Sequence, residues 1–411
     1  MKLRTISVIA AAGLALSLSA CGTGNGTGGE TSTGTTAVTL SVWAPSEDQP
    51  TDTSWLQTQE KAFEAAHPEL AITWDNAIVS EGDAATTVNK DPSAAADVYM
   101  FANDQLGTLV QANAIGVLPP ASITQVQSQN SDVMINSVTG TDGQLYGVPY
   151  TANTWFMYYD KSKFTDDDIK SLDTMLAKGK VAFPLDNGWY IASFYAGNGC
   201  TLFGPSGTDE AAGFDFGGTK ASDVTAYLAG MVANPNFVND ANGAGLAGLQ
   251  SGEISAYFSG SWDAANVKDA LGVNYGAAQP PTFNVNGKDV QIKAFAGSKA
   301  VAFNPNASNP TVAAQFAAFL GSKDAQQAHY TMRGIIPSDN SLMSDSTISS
   351  DPVAVAQMDT VANASILQPT VASMGNYWDP AASFGKALLS GDVTAANAVD
   401  KTEAWNTSLA G

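Results

Sequence analysis

Cysteine and basic residues are both scarce in this chain. Its 411 residues include 2 cysteines, and 18 Lys and Arg stand against 39 Asp and Glu, which gives a formal net charge of −21. A surface this acidic repels nucleic acid and anionic lipid, which excludes functions that depend on binding either of them. If the first cysteine, Cys21, marks a processed N-terminus, Cys200 has no partner for an intramolecular disulfide. The fold then depends on its hydrophobic core.

Metal-binding and catalytic signatures are also lacking. The two histidines, His67 and His329, stand alone without the spacing of metal ligands, and no G-x-S-x-G, H-E-x-x-H or Walker sequence occurs. After residue 21 no apolar run approaches the roughly 20 residues that a membrane-spanning helix needs. We therefore expect neither a metal nor a cofactor.

The N-terminus carries the clearest targeting signal. Lys2 and Arg4 precede an apolar run over residues 6–16, and small residues then lead to Cys21. This pattern is typical of a secretory signal peptide. The small residues directly before Cys21 resemble a bacterial lipobox, in which the cysteine is lipidated. The sequence thus predicts a signal peptide over residues 1–20 and a lipid anchor on the outer face of the cytoplasmic membrane. An ordinary signal peptide with an incidental cysteine is the alternative.

The next segment differs sharply in composition from the rest of the chain. Residues 21–37 are almost entirely Gly and Thr, which predicts a flexible tether that carries the lipidated cysteine. From residue 38 the pattern alternates short strands with helices. Val38, Leu40 and Val42 alternate with polar residues in a first strand that ends at Trp43.

The segments that follow predict the start of an α/β fold. Ser54 and Gln57 fit a capping box at the start of a helix, and His67-Pro68 fits its end. The run over residues 98–101 predicts a fully buried strand. Alternation of this kind is typical of sheets covered by helices, in which ligands bind at the carboxyl ends of the strands. Trp43 and residues 101–105 both fall at such ends.

A series of short motifs, in a fixed order, resembles one known family. The motifs are a strand ending in Trp43, an F-x-x-x-x-P helix end at residues 63–68, an A-D-V strand and turn at 96–104, G-x-L-Y-G-V-P at 143–149, Y-Y-D-K at 158–161, and a G-x-x-x-A-x-x-x-G-S-W segment at 252–262. Their order is similar to that of the extracellular solute-binding proteins of sugar-importing ABC transporters, and most closely to the maltose/maltodextrin-binding proteins. Each motif is weak alone, but the six in order are specific.

This resemblance implies a fold and a mode of action. The expected fold is the two-lobed, type II periplasmic-binding-protein α/β fold, in which each lobe has a mostly parallel sheet flanked by helices. The N-terminal lobe would comprise residues 38–151 and 300–335, and the C-terminal lobe residues 152–299 and 336–411. Crossing segments would join the lobes, which close on the ligand. The protein would be a monomer that delivers an oligosaccharide to the permease subunits of an ABC importer and would catalyse no reaction.

The same resemblance, transferred position by position, implies a set of ligand-binding residues. They are Trp43, Glu47, Phe101, Asp104, Asn153, Asp186, Asn187, Trp189, Tyr190, Trp262 and Trp378. Aromatic rings pack on the apolar face of a pyranose ring, and carboxylates and amides exchange hydrogen bonds with its hydroxyl groups. Several charged positions of the family are replaced here, including an arginine by Gln105, which leaves the identity of the sugar open.

Two other functions remain open from the sequence. An exported glycoside hydrolase would also need an aromatic cleft, together with two carboxylates at a separation of about 5–10 Å that sequence cannot reveal. A solute-binding protein for a peptide, polyamine or amino acid would share the fold. Such ligands usually need a charged partner, and aromatic residues without a nearby arginine argue against an anionic one.

Overall fold

The computed structural model describes residues 35–91 and 95–409. The predicted signal peptide, Cys21 and most of the predicted tether lie outside these residues. The tether was expected to reach residue 37, but the first strand already begins at Thr36 because Thr36 N donates to Glu69 O at 2.8 Å. Within the described ranges, no helix is both long and apolar enough to cross a membrane.

The strands define two main sheets and two small hairpin-like pairs. In chain order the described strands are β1 (Thr36–Ala44), β2 (Leu70–Ile78), β3 (Val98–Ala102), β4 (Val148–Asn153), β5 (Phe156–Asp160), β6 (Val181–Phe183), β7 (Thr201–Leu202), β8 (Phe214–Asp215), β9 (Phe237–Asn239), β10 (Ala256–Ser259), β11 (Tyr275–Ala278), β12 (Thr282–Val285), β13 (Lys288–Gln291), β14 (Ala294–Phe303) and β15 (Ser365–Leu367).

Helices cover both sheets and fill the connections between strands. The described helices are α1 (Trp55–Ala66), α2 (Ala84–Lys90), α3 (Leu106–Gln111), α4 (Pro120–Gln129), α5 (Asp132–Asn136), α6 (Leu172–Lys178), α7 (Gly188–Gly197), α8 (Gly218–Val232), α9 (Ala244–Ser251), α10 (Ala264–Leu271), α11 (Pro310–Leu320), α12 (Lys323–Arg333), α13 (Ser346–Ser349), α14 (Pro352–Asn363), α15 (Trp378–Ser390) and α16 (Ala398–Leu409).

The first sheet has the order β15-β14-β3-β1-β2, and β4 pairs with β14 as well. Strand β1 is parallel to both β2 and β3, whereas β14 runs antiparallel to β3 and β4. The second sheet has the order β11-β5-β10-β6-β9, with β5 antiparallel to its two neighbours and the remaining pairs parallel. Both sheets are therefore mixed, because β14 in the first sheet and β5 in the second run antiparallel to neighbouring strands.

The chain is a two-lobed α/β structure of the type II periplasmic-binding-protein class. Separate cores lie against the two sheets: one contains Val38, Phe101 and Phe316, and the other contains Trp155 and Phe258. The predicted lobe boundaries at residues 151/152 and 299/300 fall inside β4 and β14. These boundaries remain a prediction.

Local sequence signals explain several elements. Strand β3 is fully buried along its length, as its apolar run indicates. Helix α1 ends at Ala66 before Pro68, which disfavours helical geometry in the residue before it. The predicted capping box is wrong in one detail. Ser54 is the N-cap residue, but its hydroxyl accepts from Thr51 N at 2.9 Å instead of capping the helix.

Helix α1 also carries a buried acid, Glu60, against the first sheet. Glu60 is 5% exposed and accepts a 2.7 Å hydrogen bond from Asn76 Nδ2. Burial is the main cause that raises the pKa of Glu60 to about 7, although the Asn76 bond opposes the shift. The folded state thus holds the proton more tightly than the unfolded chain does. Its contribution to stability is present at acid pH and is lost as the pH rises through 7.

We predict that Glu60→Gln stabilises the protein at pH 8 by about 1–3 kcal/mol and much less at pH 5. The glutamine oxygen can still accept from Asn76, but the buried charge is gone. Thermal denaturation of both proteins across this pH range measures the effect. The exposed Glu403→Gln variant is the control, and it should follow the wild-type curve. An equal gain at pH 5 and pH 8 would contradict the explanation.

Candidate ligand-binding cleft

A cavity of about 580 Å³ lies between the carboxyl-end edge of the first sheet and loops of the second lobe. Its wall combines three tryptophans with carboxylate, amide and ammonium groups. The lining residues are Gly82, Ala102, Asp104, Asn153, Trp189, Trp262, Lys299, Gln368 and Trp378. An apolar cleft with a few converging polar groups is the usual form of a site for a small ligand.

The edge of the first sheet supplies a polar wall. Asp104 lies in a short 3-10 turn over Asn103–Gln105, directly after β3. Lys299 pairs in register with Ala102 across the β3–β14 ladder, so its side chain emerges beside this turn. Close packing of the turn requires a glycine, because a Cβ on Gly297 would lie 2.3 Å from the Asn103 side chain.

Burial dominates the electrostatics of Asp104. It raises the pKa of this carboxyl group to about 6, and a hydrogen bond to its own backbone only partly opposes the shift. The carboxyl group is therefore ionised at neutral pH at an energetic cost. A group that the fold keeps in the cavity wall at such a cost is a candidate for ligand binding.

The second lobe supplies the aromatic wall, and Trp262 is its most exposed member. This ring follows β10 in the turn Ser261–Asp263 and is 49% exposed. The ring folds back over Gly260, where an added Cβ would lie 2.0 Å from its Cζ3 atom. Asp263 holds the turn in place by accepting hydrogen bonds from Ser259 Oγ at 2.6 Å and Tyr257 Oη at 3.1 Å.

Trp189 and Trp378 complete the aromatic wall. Trp189 lies in the first turn of α7, and its ring centroid is 6.1 Å from that of Trp262. Its Nε1 donates to Gln368 Oε1 at 2.9 Å, which fixes the ring orientation. Trp378 begins α15 and packs edge-to-face on Phe295 at 6.1 Å. The three rings are thus preorganised by contacts within the protein.

A second cavity of about 380 Å³ adjoins the first, because Trp262 and Lys299 line both. Its wall is highly charged. Lys299 Nζ lies 3.2 Å from Glu81 Oε1, and Tyr150 Oη donates to the same oxygen at 2.6 Å. Burial and the Glu81 charge together raise the pKa of Tyr150 well above its ordinary value.

A cluster of polar side chains around the buried Asp48 also borders the second cavity. His329 Nε2 lies 2.9 Å from Asp48 Oδ1, and Arg333 Nη1 lies 3.5 Å from the same oxygen. The His329 ring stacks on Trp55 at 4.1 Å. These contacts hold the loop with Glu47 against helix α12, and Glu47 itself lines the cavity.

The structure places six predicted ligand-binding residues in the cleft wall. Asp104, Asn153, Trp189, Trp262 and Trp378 line the larger cavity, and Glu47 lines the smaller one.

The other five predicted residues line neither cavity. Phe101 is fully buried in the first core against Gly147, and Trp43 packs on Tyr99 at 5.4 Å. Tyr190 stacks on Trp155 at 5.1 Å in the other core.

The last two of these five serve local hydrogen bonds. Asn187 Oδ1 accepts from Trp189 N at 2.9 Å and caps helix α7, while Asp186 accepts from Asn239 Nδ2 at 3.1 Å. These five residues therefore make contacts outside the two cavities, and their part in ligand binding stays a prediction.

Sequence reasoning missed three polar groups of the cleft. Lys299, Glu81 and Gln368 lie on segments far apart in the chain, and no local motif marks them. Lys299 lies in the otherwise apolar strand β14, so its charge was the one feature of the sequence that could have marked it as part of a site.

A different cavity of about 660 Å³ lies on the outer side of the first lobe, between α1, α4 and α11. No tryptophan and no carboxylate occur among the described residues that line it. It therefore lacks the chemistry that the cleft offers.

The sequence of residues 59–356 matches the profile of the bacterial extracellular solute-binding proteins. The chain belongs to this family. Among curated relatives, this solute-binding protein is 27% identical over 332 residues to a maltooligosaccharide ABC transporter solute-binding lipoprotein of Streptococcus pneumoniae, with 74% of each chain covered.

Solved structures agree with this family assignment. The solute-binding protein is 51% identical to a protein solved with acarbose, with a TM-score of 0.86 over 91% of this chain and 99% of that one. It is 30% identical to the maltodextrin binding protein MalE1 from L. casei BL23 solved without ligand, with a TM-score of 0.84 over 92% of this chain and 100% of that one.

The raised pKa of Asp104 predicts how the stability of this solute-binding protein depends on pH. The contribution of Asp104 is present below its unfolded-state pKa and is lost as the pH rises through 6. We predict that Asp104→Asn raises the melting temperature by a few degrees at pH 7.5 and has little effect at pH 4.5. Calorimetry at the two pH values measures this, with the exposed Asp52→Asn variant as the control. Destabilisation at pH 7.5 would show that Asp104 is needed for folding.

Proposed function

We propose that this protein is the substrate-binding subunit of an ABC importer and captures an oligosaccharide of the maltodextrin class in its cleft. The observation that carries the proposal is the pairing of a three-tryptophan wall with a polar wall across one cavity. The apolar faces of successive glucose units would stack on Trp189, Trp262 and Trp378. Their hydroxyl groups would bond to Asp104, Asn153 and Lys299.

The relatives support this ligand class. The Streptococcus pneumoniae relative is named for maltooligosaccharides, the L. casei structure for maltodextrin, and the 51% identical structure was solved with acarbose. Two or three stacked rings and several hydrogen bonds are sufficient for micromolar affinity, which corresponds to about −8 kcal/mol.

Capture requires the two lobes to move. The N-terminal lobe (residues 38–151 and 300–335) and the C-terminal lobe (residues 152–299 and 336–411) would rotate about the crossing segments and enclose the sugar. A sugar that contacts both walls favours the closed state because it makes all its contacts only there. The permease subunits would then recognise the closed form.

The protein is exported in this proposal and stays at the outer face of the cytoplasmic membrane through a lipid on Cys21. It acts as a monomer, because one chain supplies both walls of the cleft. A relative named as a lipoprotein supports the anchor.

A glycoside hydrolase needs two carboxylates at the scissile bond. Among the described residues that line the larger cavity, Asp104 is the one carboxylate. In the adjoining cavity, Glu81 is engaged by Lys299 and Tyr150, and Asp48 by His329 and Arg333. Its two other carboxylates also have partners, since Glu47 accepts from Ser46 Oγ and Asp351 from Tyr330 Oη. This arrangement favours binding without catalysis.

We predict that Trp262→Ala and Trp378→Ala each weaken binding of maltotriose or longer maltodextrins at least tenfold, because each removes a stacking surface. Isothermal titration calorimetry on residues 35–411 measures the affinities. The apolar and 96% exposed Val273 provides the control, and Val273→Ala should bind as the wild type does.

A thermal-shift screen of the same protein against maltodextrins, isomaltose, raffinose and xylo-oligosaccharides identifies the sugar, since a ligand that binds only the folded state raises its stability. A shift in melting temperature with peptides or amines, and none with sugars, would be compatible with the fold but would overturn the proposed ligand class.

A further inference from the structure

Gln368 lies in the wall of the larger cavity, where the polar side meets the aromatic side. It directly follows strand β15, and its backbone N–H donates to Ala296 O at 2.8 Å. Its backbone carbonyl accepts from Asn103 Nδ2 at 3.4 Å, one residue before Asp104. Strand β14 and the turn after β3 therefore hold the backbone of Gln368 in place, while its side chain reaches Trp189 on the aromatic side.

The contact with Trp189 determines which way the amide group of Gln368 points. Trp189 Nε1 donates to Gln368 Oε1 at 2.9 Å. An indole N–H can only donate, so the oxygen of the amide must face Trp189. The reversed amide would place its NH₂ group against another donor. The Nε2 group is therefore directed away from the indole nitrogen, and it offers only N–H donors to its surroundings.

This Nε2 group has no acceptor within the part of the chain that the structure describes. Gln368 is 2% exposed, and its side chain makes the Oε1 bond to Trp189 and no other among residues 35–91 and 95–409. Nε2 is nevertheless not one of the described unpaired atoms that are closed off from solvent. It is therefore reachable, and Gln368 lines the larger cavity. Since most buried N–H groups in proteins are paired, a ligand in this cavity can supply the missing acceptor.

We propose that Gln368 is a ligand-binding residue, whose Nε2 group donates a hydrogen bond to an oxygen atom of the sugar unit that packs on Trp189. This inference deepens the proposed oligosaccharide-binding function and rests on it. The hydroxyl, ring and glycosidic oxygens of a sugar can all accept such a bond. An ammonium group cannot, because it only donates. The position beside Trp189 thus favours a neutral sugar unit over a cationic amino sugar.

Gln368 is fixed before a ligand arrives, which distinguishes it from Lys299. The ammonium group of Lys299 lies 3.2 Å from Glu81 Oε1, so a sugar must share it with that carboxylate. The Gln368 amide has no competing acceptor and needs no rearrangement, and a preorganised group loses little conformational freedom on binding. The single bond between Gln368 and Trp189 orients both the ring that packs on the sugar and the donor beside it.

The side-chain amide protons of Gln368 report the proposed bond directly. In protein labelled with ¹⁵N at the glutamine side chains, we expect their resonances to shift on titration with maltotriose and their exchange with water to slow. Gln368→Glu, which retains an oxygen acceptor for Trp189, assigns the resonances. The exposed Gln127 on helix α4 is the control, and its amide resonances should stay unchanged.

A double-mutant cycle separates a direct bond to the sugar from an effect on the Trp189 ring alone. Gln368→Met removes the donor at similar size, and we expect it to weaken maltotriose binding about tenfold. Trp189→Phe retains a ring without an N–H group, so the ring no longer depends on Gln368. In the Trp189→Phe background, we expect Gln368→Met still to weaken binding about fivefold. Gln127→Met is the matched control and should bind as the wild type does.

The outcomes separate this inference from the proposed function. If the wild type binds maltotriose but the Gln368 amide resonances do not shift, the direct bond is wrong. It is also wrong if Trp189→Phe abolishes the effect of Gln368→Met, because Gln368 then acts through the ring alone. A wild-type protein that does not bind maltotriose in calorimetry would overturn the proposed ligand class, and this inference with it. The resonance measurement uses the wild type, so it decides the question even where Gln368→Met lowers stability.

Discussion

The cleft depends on the antiparallel ladder between β3 and β14. This ladder pairs Lys299 with Ala102, and β14 also pairs Lys299 with Thr151 of β4. Three segments that are far apart in the chain thus bring Asp104, Lys299 and Asn153 to one sheet edge. A register shift of one residue would turn Lys299 to the opposite face of the sheet and leave Glu81 without its ion pair.

The elements of the fold that could be predicted are those whose structure is determined by their own local sequence. The alternating pattern of β1 and the fully apolar run of β3 are visible in the sequence because each reflects its own burial. Trp262 was also identifiable, since Gly260 beside it indicates a turn in which a large ring packs on the backbone. The role of Asn187 in ligand binding stays a prediction, because an amide at a helix start fits a cap and a ligand contact equally well.

The unpredictable part depends on pairing between distant segments. Phe101 and Asp104 lie three residues apart, but strand direction and the following turn send Phe101 into the core and Asp104 into the cavity. The Glu81–Lys299 contact spans 218 residues of sequence. Neither outcome follows from composition or spacing, because both require the three-dimensional register of β14.

The cleft also places unfavourable charges where an apolar surface would stabilise the fold more. Asp104 is desolvated at neutral pH, and Glu81 is 8% exposed beside Tyr150. Stability that a protein forgoes in this way is commonly associated with function. The three tryptophans of the cleft are instead held by favourable contacts within the protein. Trp189 follows the helix cap Asn187, Trp262 packs over Gly260, and Trp378 packs edge-to-face on Phe295.

All three tryptophans of the cleft belong to one side of it, while the charged and amide groups lie mainly on the other. In the proposed function, an arriving chain of sugar rings would therefore pack on this preformed aromatic surface before the lobes move. Packing of the sugar rings on the tryptophans would depend on ring shape and would be insensitive to salt, because no charge is involved. Discrimination between sugars would then occur in the later step, when the polar wall contacts each hydroxyl group. Capture and selection would thereby be separated in time as well as in space.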